Sequence, residues 1–164
     1  MVLYKPATGL VMLRISKLTD YGTLVLAQLP VSGQGLASAG QVAAATHLSQ
    51  ATVSKLLKAL AHAGLAVSER GSHGGYALAR PDDEITAAEI IDALEGPVAI
   101  TECSSAVSHC RLEPTCRVGS AWQGISLSIR RALNEVSLAD LQTRRLPMPS
   151  LRLRDDILGR IATR

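Results

Sequence analysis

The stretch SQATVSKLLKALAHAG, residues 49–64, constrains the fold more than any other part of this 164-residue chain. Its large apolar side chains recur three and four residues apart, which puts them on one face of an α-helix: Val53, Leu56, Leu57 and Leu60. Ser49 is a preferred helix N-cap residue, and Gly64 is a preferred residue just past a helix end. The pattern therefore predicts a helix that begins after Ser49, stops at Gly64 and buries one apolar stripe.

The other faces of this helix carry polar or basic side chains and no acidic one: Gln50, Thr52, Ser54, Lys55, Lys58 and His62. A solvated helix face usually mixes charges of both signs, so this composition favours an anionic partner such as nucleic acid. For Lys58 and His62, an ordinary solvated surface is the alternative interpretation.

The neighbouring segments complete the pattern of a winged helix-turn-helix. Upstream, Ser38 and Gln41 fit the capping box S/T-x-x-E/Q and predict a helix over residues 39–47. Downstream, LAVSERGSHGGYALAR reads as strand, glycine-rich turn and strand, with Arg70 and His73 near the tip. Two short helices with a tight turn, followed by such a hairpin, are typical of winged-helix DNA-binding domains. The alternative is an ordinary helical pair with a hairpin, and the order of the three elements argues against it.

The rest of the chain indicates a mainly α-helical fold. The chain contains no Phe, one Trp and three Tyr, so its core must be aliphatic, which favours packed helices. Further helices are predicted over residues 19–29, with Thr19 as the N-cap, over 87–94 and over 117–135. The helix over 87–94 follows a second capping box, and a last short turn follows the long helix: Thr86 with Glu89, and Ser137. The long helix carries a narrow apolar seam of the kind that packs against a partner helix: Trp122, Ile125, Ile129, Leu133 and Val136.

Charge and motif content exclude several classes of function. The formal charge of +3 and isoelectric point near 9.0 permit a nucleic-acid partner. The N-terminus lacks the layout of a signal peptide, and no stretch approaches the roughly 20 apolar residues of a membrane span. We therefore expect a cytoplasmic protein with reduced thiols. No nucleophile elbow, phosphate-cradling glycine loop or recognisable pair of catalytic acids supports an enzyme.

All three cysteines of the chain lie within ECSSAVSHCRLEPTC, as Cys103, Cys110 and Cys116. The spacing C-x6-C-x5-C lacks the C-x2-4-C pair of most structural zinc sites, although zinc with His109 as the fourth ligand stays possible. A thiol redox switch is a second alternative, since flanking arginines lower thiolate pKa values. Three structural cysteines suit this polar segment poorly. An iron–sulfur cluster fits best, because soft thiolates converging from one loop suit such clusters, but a cubane needs a fourth ligand.

Taken together, LTDYGTLVLAQL, the helix-turn-helix, the wing ERGSHGGYAL, the triple-cysteine loop, the long helix and SLADL resemble the Rrf2 family of bacterial transcriptional regulators over residues 12–142. Within the family the sequence is most similar to the regulator of the sulfur-mobilisation (SUF) iron–sulfur assembly operon. The resemblance implies a homodimer joined by the long helix and a [2Fe–2S] or [4Fe–4S] cluster on the three cysteines. It also implies a repressor that silences assembly genes when the cluster is present.

The resemblance also suggests the fourth ligand. Regulators of the Isc type have a histidine three positions after the last cysteine, where this chain has Gly119. In the nitric-oxide-sensing branch, an aspartate of the partner subunit's first helix completes the site, and its TDYG context matches Asp20. We therefore expect Asp20 as the fourth ligand, with His109 and Glu102 as reserves. The alternative is that Asp20 only complements the helix dipole.

The predicted layout assigns one role to each segment. On the recognition helix, Lys55, Lys58 and His62 are expected to contact phosphates, whereas Gln50, Thr52 and Ser54 are candidates for base edges. The wing, with Arg70 and His73, is expected at the adjacent minor groove. The segments are an N-terminal extension (1–11), a winged helix-turn-helix domain (12–95), a cluster-binding cysteine loop (96–119), a dimerisation helix region (120–142) and a flexible tail (143–164).

Overall fold

A computed structural model describes residues 16–71, 74–97 and 118–143 of the chain. The described part is mainly helical, with one two-stranded antiparallel sheet. Its elements follow in the order α1 (Lys17–Leu26), α2 (Ala39–Thr46), α3 (Gln50–His62), β1 (Ala66–Glu69), β2 (Gly75–Leu78), a 3-10 turn (Asp82–Glu84), α4 (Ala87–Glu95), α5 (Gly119–Asn134) and α6 (Leu138–Thr143). Among the helices of the described residues, none combines the length and the hydropathy of a membrane span.

Helix α3 lies at the centre of an aliphatic core. All four residues of its predicted apolar stripe are at most 1% exposed. The helix packs against α1, α2, α4 and β1, so its buried side meets most of the domain. The side chains that join it in the core are aliphatic, as the composition predicted, and include Val25, Leu26, Val42, Leu65, Leu78, Ile85, Ile90 and Leu138.

Helix caps fix the starts of α2 and α3. Ser38 and Gln41 form the predicted capping box, with hydrogen bonds of 3.2 Å and 2.8 Å. Ser49 caps α3 by accepting the backbone N–H of Thr52 at 3.2 Å. Between the two helices, His47 adopts a left-handed conformation with φ of 57°, which ends α2 and turns the chain into α3. The predicted helix-turn-helix is therefore present.

The start of α1 differs from the prediction. The helix begins at Lys17 and is capped by Ser16, whose side chain accepts the backbone N–H of Leu18. Thr19, the predicted cap, lies inside the first turn and is 5% exposed. Its hydroxyl donates instead to Glu95 at the end of α4. The prediction was wrong because a tertiary hydrogen bond engages this hydroxyl.

The hairpin after α3 forms the predicted wing. Strands β1 and β2 pair from Ala66 opposite Leu78 to Glu69 opposite Gly75. The backbone of Ala37 exchanges two 2.9 Å hydrogen bonds with Tyr76, which attaches the hairpin to the segment before α2. A Cβ atom at Gly75 would lie 2.9 Å from the Ala37 carbonyl oxygen. The glycine is therefore required for the close approach of the two backbones.

Polar contacts cap α4 and α6 and join α4 to α5. Thr86 and Glu89 form the predicted capping box of α4. Asp92 of α4 forms a two-point ion pair with Arg130 of α5, one contact being 3.0 Å. The side chain of Asp140 accepts from the backbone N–H of Ser137, which confirms the predicted start of the last turn. The helix predicted over 117–135 is confirmed as α5.

Candidate nucleic-acid interface

The solvent-facing side of α3 is the principal candidate surface. Successive helix residues are about 100° apart, so the direction opposite the buried stripe can be assigned by position. The four residues nearest to that direction are all exposed: Ala51, Lys55, Lys58 and His62. The last three were predicted from sequence, whereas Ala51 was missed. A helical projection centred opposite Leu56 and Leu60 places Ala51 on this side of the helix. Its methyl side chain has no charge or hydrogen-bonding group that would mark it as a DNA contact in the sequence.

The remaining predicted residues of α3 flank this central line. Thr52 and Ser54 are half-buried and Gln50 is exposed. The hydroxyl of Thr52 lies 2.8 Å from the hydroxyl of Ser49 and is thus engaged at the cap of its own helix. The amide nitrogen of Gln50 lies near Gly40, so this side chain extends towards the start of α2. The structure brings these residues to one end of α3 without aligning them on one face.

The wing contributes one described cation to the surface. Arg70 follows β1 directly and is exposed. Gly71 then adopts a left-handed conformation with φ of 127°, which favours glycine and turns the chain towards β2. His73, the other predicted wing residue, lies outside the described residues.

The predicted cluster site is only partly within the described structure. Cys103, Cys110 and Cys116 lie outside the described residues, as do His109 and Glu102. Asp20 is exposed on the first turn of α1. Within residues 16–71, 74–97 and 118–143, no three His, Cys, Asp or Glu side chains come together in a way that could hold a metal ion. The described residues thus supply at most the carboxylate of the predicted site.

The surroundings of Asp20 connect α1 to the end of α4. Next to Asp20, the Thr19 hydroxyl and the Ser16 backbone N–H both donate to Oε1 of Glu95. The Thr19 hydrogen bond lowers the pKa of Glu95, slight desolvation of the exposed carboxylate opposes this shift, and the Ser16 contacts reinforce it. Glu95 is the last residue of α4, so the turn that carries Asp20 is attached where the chain leaves towards the cysteines.

An apolar groove of about 560 Å³ opens beside Asp20. It is lined mainly by residues of α1, α4 and the α5–α6 region, namely Thr19, Asp20, Tyr21, Thr23, Leu24, Ala87, Ile90, Ile91, Leu133, Val136 and Leu141. The predicted seam of α5 is divided. Leu133 and Val136 are half-buried at the groove, whereas Trp122 and Ile125 are 39% and 42% exposed.

A sequence model of the family described as "Rrf2: Iron-dependent Transcriptional regulator" matches residues 15–144. The chain belongs to the Rrf2 family. The Rrf2 match covers all of the described elements, from α1 to α6. Because this family consists of transcriptional regulators, the expectations of a DNA-binding regulator and of a chain that is not an enzyme are confirmed.

Individual Rrf2 relatives support the same assignment. The chain is 29% identical over 153 residues to the putative HTH-type transcriptional regulator Rv1287 of Mycobacterium tuberculosis, covering 93% of this chain and 95% of that protein. The solved structure of CymR, the global cysteine regulator of B. subtilis, is 31% identical and aligns with a TM-score of 0.59 over 81% of this chain and 98% of CymR. T. potens IscR is 27% identical, with a TM-score of 0.53 over 86% of this chain and 94% of IscR. The predicted winged-helix fold is thereby confirmed.

Proposed function

We propose that this Rrf2 regulator is a homodimeric repressor that reads operator DNA with α3 and senses iron–sulfur cluster status through its cysteine stretch. The proposal that α3 binds operator DNA rests on the exposed side of this helix. That side presents three basic side chains and no acidic one, on a helix whose opposite side is fixed in the core. Such a surface suits a polyanion, because each cation that neutralises a phosphate releases bound counterions.

The roles along α3 follow from their position. Lys55, Lys58 and His62 extend along the exposed side from the second turn onwards, where long or basic side chains suit phosphate contacts. Gln50, Thr52 and Ser54 lie in the first turns, the part of a recognition helix that usually meets base edges. We propose that Arg70, with His73, brings the wing to the adjacent minor groove.

The exposed half of α5 supports the proposed homodimer. Trp122 and Ile125 lie on one side of α5, and Val118, directly before the helix, is 58% exposed. Only Gly119 and Ser126 of this 16-residue helix are buried. Apolar side chains exposed along one helix are typical of a subunit interface. We propose that the partner's α5 covers this surface.

The sensing part rests on donor chemistry and on the attachment of Asp20. Three thiolates are the soft ligands that iron–sulfur clusters prefer, and an exposed carboxylate is a weak, exchangeable fourth ligand. A cluster held this way would supply an iron whose carboxylate ligand is open to displacement by oxygen or nitric oxide. We propose that Asp20 of one subunit provides the fourth ligand to a cluster on one of the cysteine stretches of the dimer. Because Thr19 and Ser16 connect to Glu95, a shift of the cysteine stretch can reach α1, which packs against α3.

The regulatory consequence is a change in DNA affinity. Cluster binding can alter DNA affinity only if the dimer with the cluster and the dimer without it favour different arrangements of the two α3 helices. We propose feedback control, in which the loaded dimer silences iron–sulfur assembly genes, as in the SUF branch that the sequence resembles.

The decisive experiment compares the two forms of the same protein. Anaerobic purification, followed by absorbance spectroscopy and by iron and sulfide assays, should yield a coloured protein with both elements. A colourless protein with stoichiometric zinc would reject the cluster. The loaded and stripped forms should then differ in affinity for the protein's own promoter region. Equal affinities would leave a constitutive DNA-binding protein.

One observation favours a second candidate function. The 31% identity to CymR, a cysteine regulator, is compatible with a thiol-responsive or zinc-binding winged-helix regulator without a cluster. In that case Cys103, Cys110 and Cys116 would react with an oxidant or hold zinc. Reversible loss of promoter binding on oxidation of iron-free protein would favour this function.

A further inference from the structure

The first turn of α3, which we propose to meet the base edges, exposes a methyl group. Ala51 lies opposite the buried stripe, two residues after the N-cap Ser49, and is exposed. Its polar neighbours are displaced from this central line. Gln50 extends towards Gly40 of α2, and the hydroxyl of Thr52 is engaged by Ser49. The side chain at the centre of the leading turn therefore has neither a donor nor an acceptor.

Such a side chain discriminates between bases in only one way. In the major groove, thymine alone among the four bases presents a C5-methyl group, and an alanine methyl is a matching apolar contact. Guanine and cytosine edges instead require donors or acceptors, which Ala51 does not have. The small side chain also lets the helix approach the base edges closely.

We propose that Ala51 is a specificity-determining residue that reads the C5-methyl group of a thymine in each operator half-site. This inference rests on the proposed role of α3 as the recognition helix. It extends that role by assigning a base to a residue that offers no hydrogen bond. Gln50, on the flank of Ala51, could add an adenine contact, but the thymine assignment depends on Ala51 alone.

The test uses the full-length protein and a site selected from a random duplex library. Each thymine of the site is replaced in turn by deoxyuridine, which removes the methyl group and keeps base pairing. At one thymine per half-site, the replacement should weaken wild-type binding by about three- to fivefold, the effect of one buried methyl group. The same replacement should change the affinity of Ala51→Gly by less than about 1.5-fold, because the contact is already absent.

Controls separate the possible explanations. Ala63→Gly removes the same methyl group at the exposed C-cap of α3, far from the leading turn, and should keep the wild-type response to deoxyuridine. Because the readout is a ratio of affinities within one variant, a weakened helix in Ala51→Gly does not affect it. An unchanged response in Ala51→Gly, equal to that of the wild type and of Ala63→Gly, would overturn the assignment.

The outcome also distinguishes this inference from the proposed function. If no deoxyuridine replacement weakens wild-type binding but Lys55→Ala does, thymine reading by Ala51 is wrong and the role of α3 stands. If neither change affects binding, α3 is not the recognition helix and both proposals fail.

Discussion

The side chain of Thr19 is hydrogen-bonded to that of Glu95, joining the first turn of α1 to the last turn of α4. The same carboxylate oxygen accepts the backbone N–H of Ser16 at 3.1 Å. One exposed carboxylate thus completes the N-terminal end of α1 and connects it to the helix that precedes the cysteines. This contact is a direct path by which the two regions can influence each other.

The Glu95 contact should make stability depend on acid pH. The Thr19 hydroxyl is the main cause that lowers the pKa of the Glu95 carboxyl group in the folded state. The contribution of Glu95 to the free energy of unfolding is therefore present above the unfolded pKa of about 4.3, and it is lost as the pH falls through the folded pKa. We expect Glu95→Gln to cost about 0.5–1 kcal/mol at neutral pH, since the site is exposed. The cost should shrink in acid, as measured by urea unfolding at both pH values. Glu69→Gln, at an exposed position of β1, should show no such loss; equal behaviour of both variants would contradict the prediction.

The crossing of α1 and α4 depends on a glycine. A Cβ atom at Gly22 would overlap with the terminal Cδ1 of Leu94. We expect Gly22→Val to lower the free energy of unfolding by about 1–3 kcal/mol, because the overlap forces the helices apart. Gly22→Ala should have a smaller effect, since the Leu94 methyl can rotate and alanine favours helix. Urea unfolding should also show partial recovery in Gly22→Val/Leu94→Ala; strictly additive losses would rule out the proposed overlap.

The ion pair between Arg130 and Asp92 should orient α5 on α4. Both side chains are partly exposed, at 38% and 25%, so the pair is worth about 0.5–1 kcal/mol. We expect Arg130→Lys to lose most of this, because lysine keeps the charge but not the two-point geometry. The loss should be smaller in about 1 M salt than in dilute buffer. Arg131→Lys provides the matched control. An equal loss of stability in both variants would show that the Arg130–Asp92 ion pair does not stabilise the fold.

Removal of Lys55 should weaken DNA binding independently of sequence. Lys55→Ala should lower the slope of log affinity against log salt by about 0.9, the value for one lost phosphate contact. Fluorescence anisotropy with a promoter duplex and an unrelated duplex measures both effects. Arg131→Ala removes the same charge from α5 and should leave the slope unchanged. An unaltered slope in Lys55→Ala would exclude Lys55 from the DNA contact.

Removal of Asp20 should make the proposed cluster more labile without dissociating the dimer. Asp20→Ala leaves three thiolates, and the open iron position should accelerate loss of the cluster in air. The decay of visible absorbance measures this, and light scattering monitors the dimer. Asp83→Ala, an exposed carboxylate change on the 3-10 turn, should decay as the wild type does. An unaltered decay rate in Asp20→Ala would point to His109 or an external ligand.

Local patterns determined much of the fold. The capping boxes at Ser38 and Thr86, the N-cap at Ser49 and the stripe of α3 depend on residues three and four positions apart, so the sequence alone predicted them. The triple-cysteine stretch and the glycines of the hairpin likewise carried the family resemblance that the Rrf2 match confirmed.

Tertiary structure decided what local spacing could not. Ser16 and Thr19 both have side chains that can cap α1. Ser16 is the N-cap because the Thr19 hydroxyl donates a hydrogen bond to Glu95, which is distant in the sequence. Ala51 carries no chemical signal of its own, and although the predicted stripe already placed it on the opposite side of α3, only the tertiary structure shows that it is exposed while Thr52 is engaged by Ser49. Sequence determines which hydrogen bonds and contacts a segment can make locally. Packing between segments determines which of these local hydrogen bonds are replaced by hydrogen bonds to residues that are distant in the chain.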